Sequence, residues 1–230
     1  SLLFFIIYTG TTADKRKYGF RRAFTFRPHL LKGMLSISGW TMVQSFISVS
    51  IWFIFFLAIE HLGERPLAVT NIVRNISALL IMVISAFATT AGALISNQIG
   101  AGEQRYLFRT CGMTLNLTYA ILVPLLVILC LFPEPVLRVF TDNPSLIAAS
   151  INSVYVMSTS TLIMAPAFIL FNAVSGTGNT KAGFIMEMIS LTVYTAAVYY
   201  IVIRLKPDVA LCWFSEHVYG IALIALAWWY

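Results

Sequence analysis

The sequence predicts an all-α polytopic membrane protein, a six-helix transmembrane bundle preceded by the end of another helix. Three observations carry this. Of 230 residues, 59% are hydrophobic and 10% charged, whereas soluble domains run near ~25% charged. Mean hydropathy is +0.85. The apolar residues are gathered into six runs, each long enough to cross ~30 Å of hydrocarbon at about 1.5 Å per residue. Disorder is excluded by the same composition.

The chain opens at Ser1 on an apolar stretch, LLFFIIY, with no basic flank before it. That is not a signal peptide. It reads as the last turns of a span, over residues 1–10. IALIALAWWY closes the sequence in apolar residues. The expectation is a piece of a longer polytopic protein. Residues 11–35 form a basic loop in which Lys15, Arg16, Lys17, Arg21, Arg22, Arg27 and Lys32 face one acid, Asp14. Residues 36–230 form the six-helix lobe.

The predicted spans are 36–59, closed by EHLGERP; 67–95, closed by SNQIGAGEQR; and 106–132, closed by PEPVLRVFTDNPS. Then come 146–174, closed by SGTGNTK; 182–203, closed by RLKPD; and 211–230. Gly100, Gly102, Gly176 and Gly178 are suited to left-handed positions that end helices. VLRVF, between prolines, suits a short interfacial helix.

Alternating the loops assigns ten Lys and Arg to one side: the seven above, Arg105, Arg109 and Lys181. The other side has five: Arg65, Arg74, Arg138, Arg204 and Lys206. The positive-inside rule places the richer side, including loop 11–32, in the cytoplasm. The net charge of +6 therefore reports topology and calls for no nucleic acid. Cys111, Cys130 and Cys212 lie in apolar runs without CxxC spacing, and His29, His61 and His217 are far apart. Neither a metal site nor a catalytic constellation is expected, so the chain reads as a non-enzyme without cofactor.

Polar groups inside spans are costly, so their placement is informative. Ser38, Thr41, Ser45, Ser48 and Trp52 recur at helical spacing on one face, flanked by Gln44. That face either lets helices approach closely or lines a watery cavity. Arg74 either snorkels to the interface or pairs with an internal acid. Glu187, with Ser190 and Tyr194 on its face, is read as the only acid in the central part of a complete span. It is either paired with a cation or able to carry a proton. Glu216 reads as an end-of-span acid. Pro166 and Asn172 share the fourth span, where Pro166 kinks the helix or frees a carbonyl, and a hinge is one use of such a break.

SNQIGAGE (96–103), VLRVFTDNPSLIAAS (136–150) and NAVSGTGNTKAGF (172–184) fall in the order and spacing of loops in multidrug and toxic compound extrusion (MATE) transporters. The chain resembles the C-terminal lobe of that twelve-helix family. The resemblance implies a multi-pass protein of the bacterial inner membrane that exports cationic or amphipathic compounds, small organic cations among them. Export is in antiport with Na⁺ or H⁺ by alternating access. It also implies a second, N-terminal lobe as partner, with lipid around both. The norfloxacin-exporting branch has cation-binding acids in its seventh and tenth helices; Ser48 and Pro166 stand at the matching positions here. The polar residues of the spans themselves, not the resemblance, make Ser38, Thr41, Gln44, Ser45, Ser48, Trp52, Asn172 and Tyr194 the candidates for lining a substrate cavity, and Glu187 and Arg74 the candidates for handling the cation or proton. A lipid-linked oligosaccharide flippase is the alternative in the same superfamily; it should carry several basic residues inside its spans, and only Arg74 qualifies. A non-transport membrane protein is the remaining alternative.

Overall fold

The computed structural model describes Tyr8 and residues 28–230. Apart from Tyr8, the stretch 1–10 and most of the basic loop fall outside the described residues. Two compact units are present, Ser1–Gly39 and Trp40–Tyr230. In the first, residues 28–39 are helical, with Leu30, Leu31, Met34 and Leu35 exposed.

The helices are α1 (Pro28–Glu60), α2 (Glu64–Gly100), α3 (Leu107–Leu131), α4 (Pro133–Arg138), α5 (Pro144–Gly176), α6 (Thr180–Val198), α7 (Val209–Cys212) and α8 (Phe214–Trp229). A 3₁₀ turn, Gln104–Tyr106, leads into α3, and α6 continues as a π-helix over Tyr199–Leu205. Among the described residues, six spans are long and apolar enough to cross a membrane, each holding an 18-residue window of mean hydropathy between 1.6 and 2.2. α1 begins at Pro28 rather than near Ser36. Proline is favoured in a first helical turn because its missing N–H has no partner there anyway, so His29 and Lys32 are helical rather than part of a loop.

The loops follow their side-chain chemistry. Asn143 Oδ1 accepts from Ser145 N at 3.0 Å ahead of α5. Asn179 Oδ1 accepts from Ala182 N at 3.1 Å ahead of α6, and Asp208 Oδ1 from Val209 N at 2.8 Å ahead of α7. Each satisfies an orphan amide of a first turn. Gly102 and Gly178 take the left-handed conformation, at φ 77° and 86°. Gly100 and Gly176 do not; both are helical. The short helix of the third loop is α4, beginning at Pro133, with Leu137 buried.

In the second unit α5 is the hub, packing against α2, α3, α6 and α8. Its main core joins Val73, Ile76, Leu80 and Ile84 of α2 with Leu122 and Leu126 of α3 and Val154, Met157 and Met164 of α5. The α2–α5 crossing is closest at Ala88, Ala91 and Gly92, small residues that let backbones approach. A Cβ on Gly92 would lie 2.8 Å from the Asn172 carbonyl oxygen, and one on Gly176 would overlap the Gly92 carbonyl. Gly176 therefore serves this crossing and not a turn. The last turns of α1 bring Phe55, Ala58 and Ile59 against Tyr194, Val198, Val202 and Cys212. Further back in α1 the Trp40 ring meets that of Phe184 of α6, with centroids 5.1 Å apart, which sets the middle of α1 beside α6.

Candidate functional site

Between α1, α2, α5, α6 and α8 lies a cavity of about 380 Å³. Its polar groups are Ser48, Glu187, Glu216, Tyr194 and Tyr219; Trp52 and Phe168 add two more aromatic rings. Glu187 is 4% exposed. Burial of a carboxylate is costly unless it is hydrogen-bonded or neutralised. Here the partners are hydroxyls from two other helices. Ser48 Oγ donates to Glu187 Oε1 at 2.8 Å, and Tyr219 OH lies 3.0 and 3.1 Å from Oε1 and Oε2. Ser48 Oγ is also 3.0 Å from the Gln44 carbonyl oxygen, so its single proton faces two acceptors.

A second acid repeats the arrangement. Tyr194 OH donates to Glu216 Oε1 at 3.0 Å. The Tyr194 and Tyr219 rings meet edge to face, with centroids 5.8 Å apart at 71°, a favoured aromatic geometry. Two carboxylate–tyrosine pairs thus stand side by side. The lining residues include no Lys or Arg. Lys181, the cation nearest Glu187 along α6, is exposed.

Of the residues singled out in the sequence, Ser48, Trp52, Glu187 and Tyr194 meet in this cavity. Ser38, Thr41 and Ser45 are exposed, and Gln44 contributes only its carbonyl oxygen. Arg74 is not part of the lining. Its guanidinium sits over Phe56 at 5.1 Å and over Trp52 at 6.0 Å, a cation–π packing. Asn172 donates to the Phe168 carbonyl at 2.9 Å and belongs to the α2–α5 crossing. Pro166 removes the amide that would pair with the Leu162 carbonyl four residues back. Tyr119 OH of α3 donates to that carbonyl at 2.8 Å.

Glu216 corrects the reading of Glu187 as the only acid in the central part of a complete span. It lies in the span Val209–Trp229 and lines the same cavity. Tyr219, one turn further on, was likewise not singled out. The available signal was the EHVY spacing at 216–219, an acid and a tyrosine three apart on one helical face.

The family model described as MatE matches residues 41–201, from α1 to the π-helical turn. The chain belongs to the MatE family. That is the family the three loops resemble. A relative is the probable multidrug resistance protein NorM of Thermotoga maritima, 24% identical over 175 residues, 75% of this chain and 37% of that protein. Among solved structures, a mutant of the Vibrio cholerae MATE transporter VcmN matches 87% of this chain and 46% of its own, with a TM-score of 0.79 and 16% identity. A MOP superfamily transporter from Pyrococcus furiosus matches 86% and 44%, with a TM-score of 0.76 and 12% identity. At such identities the structures show a shared fold. This MatE chain spans less than half the length of each of these relatives. Glu216 and Tyr219 lie beyond the matched 41–201, so the family match alone would not bring them to notice.

Proposed function

We propose that this MatE chain forms one lobe of a secondary active efflux transporter of the bacterial inner membrane, with the basic loop 11–32 on the cytoplasmic side. A second six-helix lobe completes it, and the two alternate access to a central path. The cargo is a cationic or amphipathic organic compound, exchanged for Na⁺ or H⁺. The observation that carries this reading is the cavity: two carboxylates and four aromatic rings, with no basic residue in the lining. Aromatic faces and carboxylates attract organic cations. A volume of about 380 Å³ suits a small organic ligand. A pyrophosphate-linked lipid would need basic groups instead, which favours drug export over the flippase reading.

The test is ethidium retention in cells lacking their own efflux pumps. Cells carrying the two-lobe transporter should retain less dye. Cells carrying the same transporter with Glu187→Gln and Glu216→Gln, at equal membrane abundance, should retain as much as empty cells. Equal retention in all three would overturn the reading.

A further inference from the structure

The partners of Glu187 discriminate between the possible coupling ions. Every hydrogen-bond partner of its carboxyl group is a hydroxyl: Ser48 from α1 and Tyr219 from α8. A hydroxyl donates one proton and accepts through two lone pairs, so it can bond to a carboxylate or to a carboxylic acid. An Arg, Lys or backbone amide could only donate, and would favour the ionised form. We propose that Glu187 is the site of an exchangeable proton, and that the Ser48 hydroxyl holds both protonation states in one geometry by reversing its hydrogen bond. The role of this site in transport rests on the efflux reading above; the site itself rests on its own geometry.

Two acceptors for one Ser48 proton are the central observation. With Glu187 ionised, Ser48 donates to Oε1 across 2.8 Å. With Glu187 protonated on Oε1, the carboxyl O–H donates to Ser48 Oγ. The Ser48 proton then turns to the Gln44 carbonyl oxygen, 3.0 Å away, the ordinary bond of a helical serine to the residue four back. Tyr219 OH continues to donate to Oε2, at 3.1 Å. No heavy atom has to move. One proton enters from the cavity, one O–H bond forms on Glu187, and the Ser48 proton rotates without leaving its oxygen.

The surroundings favour H⁺ over Na⁺. A metal ion needs a shell of oxygens with free lone pairs aimed at one point. Here the oxygens that converge are one carboxyl group and two hydroxyls, and both hydroxyls aim their protons, not their lone pairs, at the carboxyl oxygens. Among side chains lining the cavity, α1, α2 and α5 supply none that is charged or titratable. From α6 come Glu187 and Tyr194, and from α8 Glu216 and Tyr219. His217 of α8 is bonded elsewhere, to Thr159 Oγ1 at 2.9 Å. Arg74 of α2 is stacked on Phe56 and Trp52.

The experiment is pH-difference infrared spectroscopy on the purified two-lobe transporter in lipid nanodiscs, in Na⁺-free potassium buffer. Acidification should produce a reversible carboxylic acid C=O band. Glu216, bonded to the Tyr194 hydroxyl, should contribute a component of its own; Glu187→Gln should abolish the Ser48-sensitive component, Glu187→Asp should move it, and Glu216→Gln should leave that component in place. Adding Na⁺ at fixed pH should not change it. Ser48→Ala should alter the band's frequency, yet shift its midpoint by less than about threefold in proton concentration, because Ser48 serves both states. A donor serving only the ionised form would be worth roughly tenfold or more, so a shift of that size would overturn the reversal. Absence of a Glu187-dependent band, or its loss on adding Na⁺, would overturn the proton site. These readouts need no transport. A Glu187 band in a transporter that extrudes no cation would refute the efflux reading and leave the proton site standing; efflux without the band would do the opposite.

Discussion

Gly92→Ala is the perturbation whose cost the structure fixes most directly. The added Cβ would lie 2.8 Å from the Asn172 carbonyl oxygen, 3.5 Å from its carbonyl carbon and 3.6 Å from its Cβ. The obstructing atom is helix backbone in the last turns of α5, so it cannot swing aside as a side chain would. α2 and α5 must part by roughly half an ångström along their closest contact, an overpacking that costs about 1–3 kcal/mol. Alanine returns up to ~1 kcal/mol through its better helix propensity, which leaves a net loss of about 1 kcal/mol at the centre of that range. At roughly 2–4 °C per kcal/mol for a domain of this size, the unfolding midpoint should fall by about 2–4 °C. Gly176→Ala should be worse, since its Cβ would overlap the Gly92 carbonyl. Gly112 of α3 is the control: nothing lies within 4 Å of its added Cβ, so Gly112→Ala should be neutral or stabilising by up to ~1 kcal/mol. The assay is thermal exposure of Cys212, which is fully buried, to a thiol-reactive dye in a Cys111→Ser, Cys130→Ser background. Equal midpoints for Gly92→Ala and the parent, or equal losses at Gly92 and Gly112, would refute the reasoning.

The Pro166 break makes a second prediction. Tyr119→Phe leaves the Leu162 carbonyl without its donor and should cost about 1–3 kcal/mol; in a Pro166→Ala background, where a backbone amide is restored, less than half of that loss should remain in the same thermal assay. Topology makes a third: Arg65→Cys should react with an impermeant maleimide from outside whole cells, and Thr11→Cys should not. A fourth concerns assembly. The 230-residue chain expressed alone should not lower ethidium accumulation in efflux-deficient cells, because one lobe has nothing to rock against.

The helices were legible because lipid demands long unbroken apolar runs and closes them with polar turns. The start of α1 was not, since His29 and Lys32 look like loop residues and only the Pro28 position hints otherwise. Glu187 was legible because a lone carboxylate in an apolar run is conspicuous. Its partners were not. Ser48 was one of a whole polar face, and which member meets Glu187 depends on how α1 rotates against α6, a property of packing between helices distant in sequence. Glu216 was misjudged for a related reason. It follows closely on the loop before the last span, and only the packing of α8 against α6 shows that it is covered and lines the cavity. Likewise Pro166 announces a free carbonyl, while nothing near it in sequence names Tyr119 as the donor.

The central claim is that the paired carboxylates make this cavity a cation site. Equilibrium binding of ethidium to the purified chain in nanodiscs, followed by the dye's fluorescence, tests it most directly. Saturable binding is predicted, weakened roughly tenfold or more by Glu187→Gln together with Glu216→Gln, the worth of charge-assisted contacts in a desolvated site. Saturable binding of equal strength in the parent and the double variant would contradict the account.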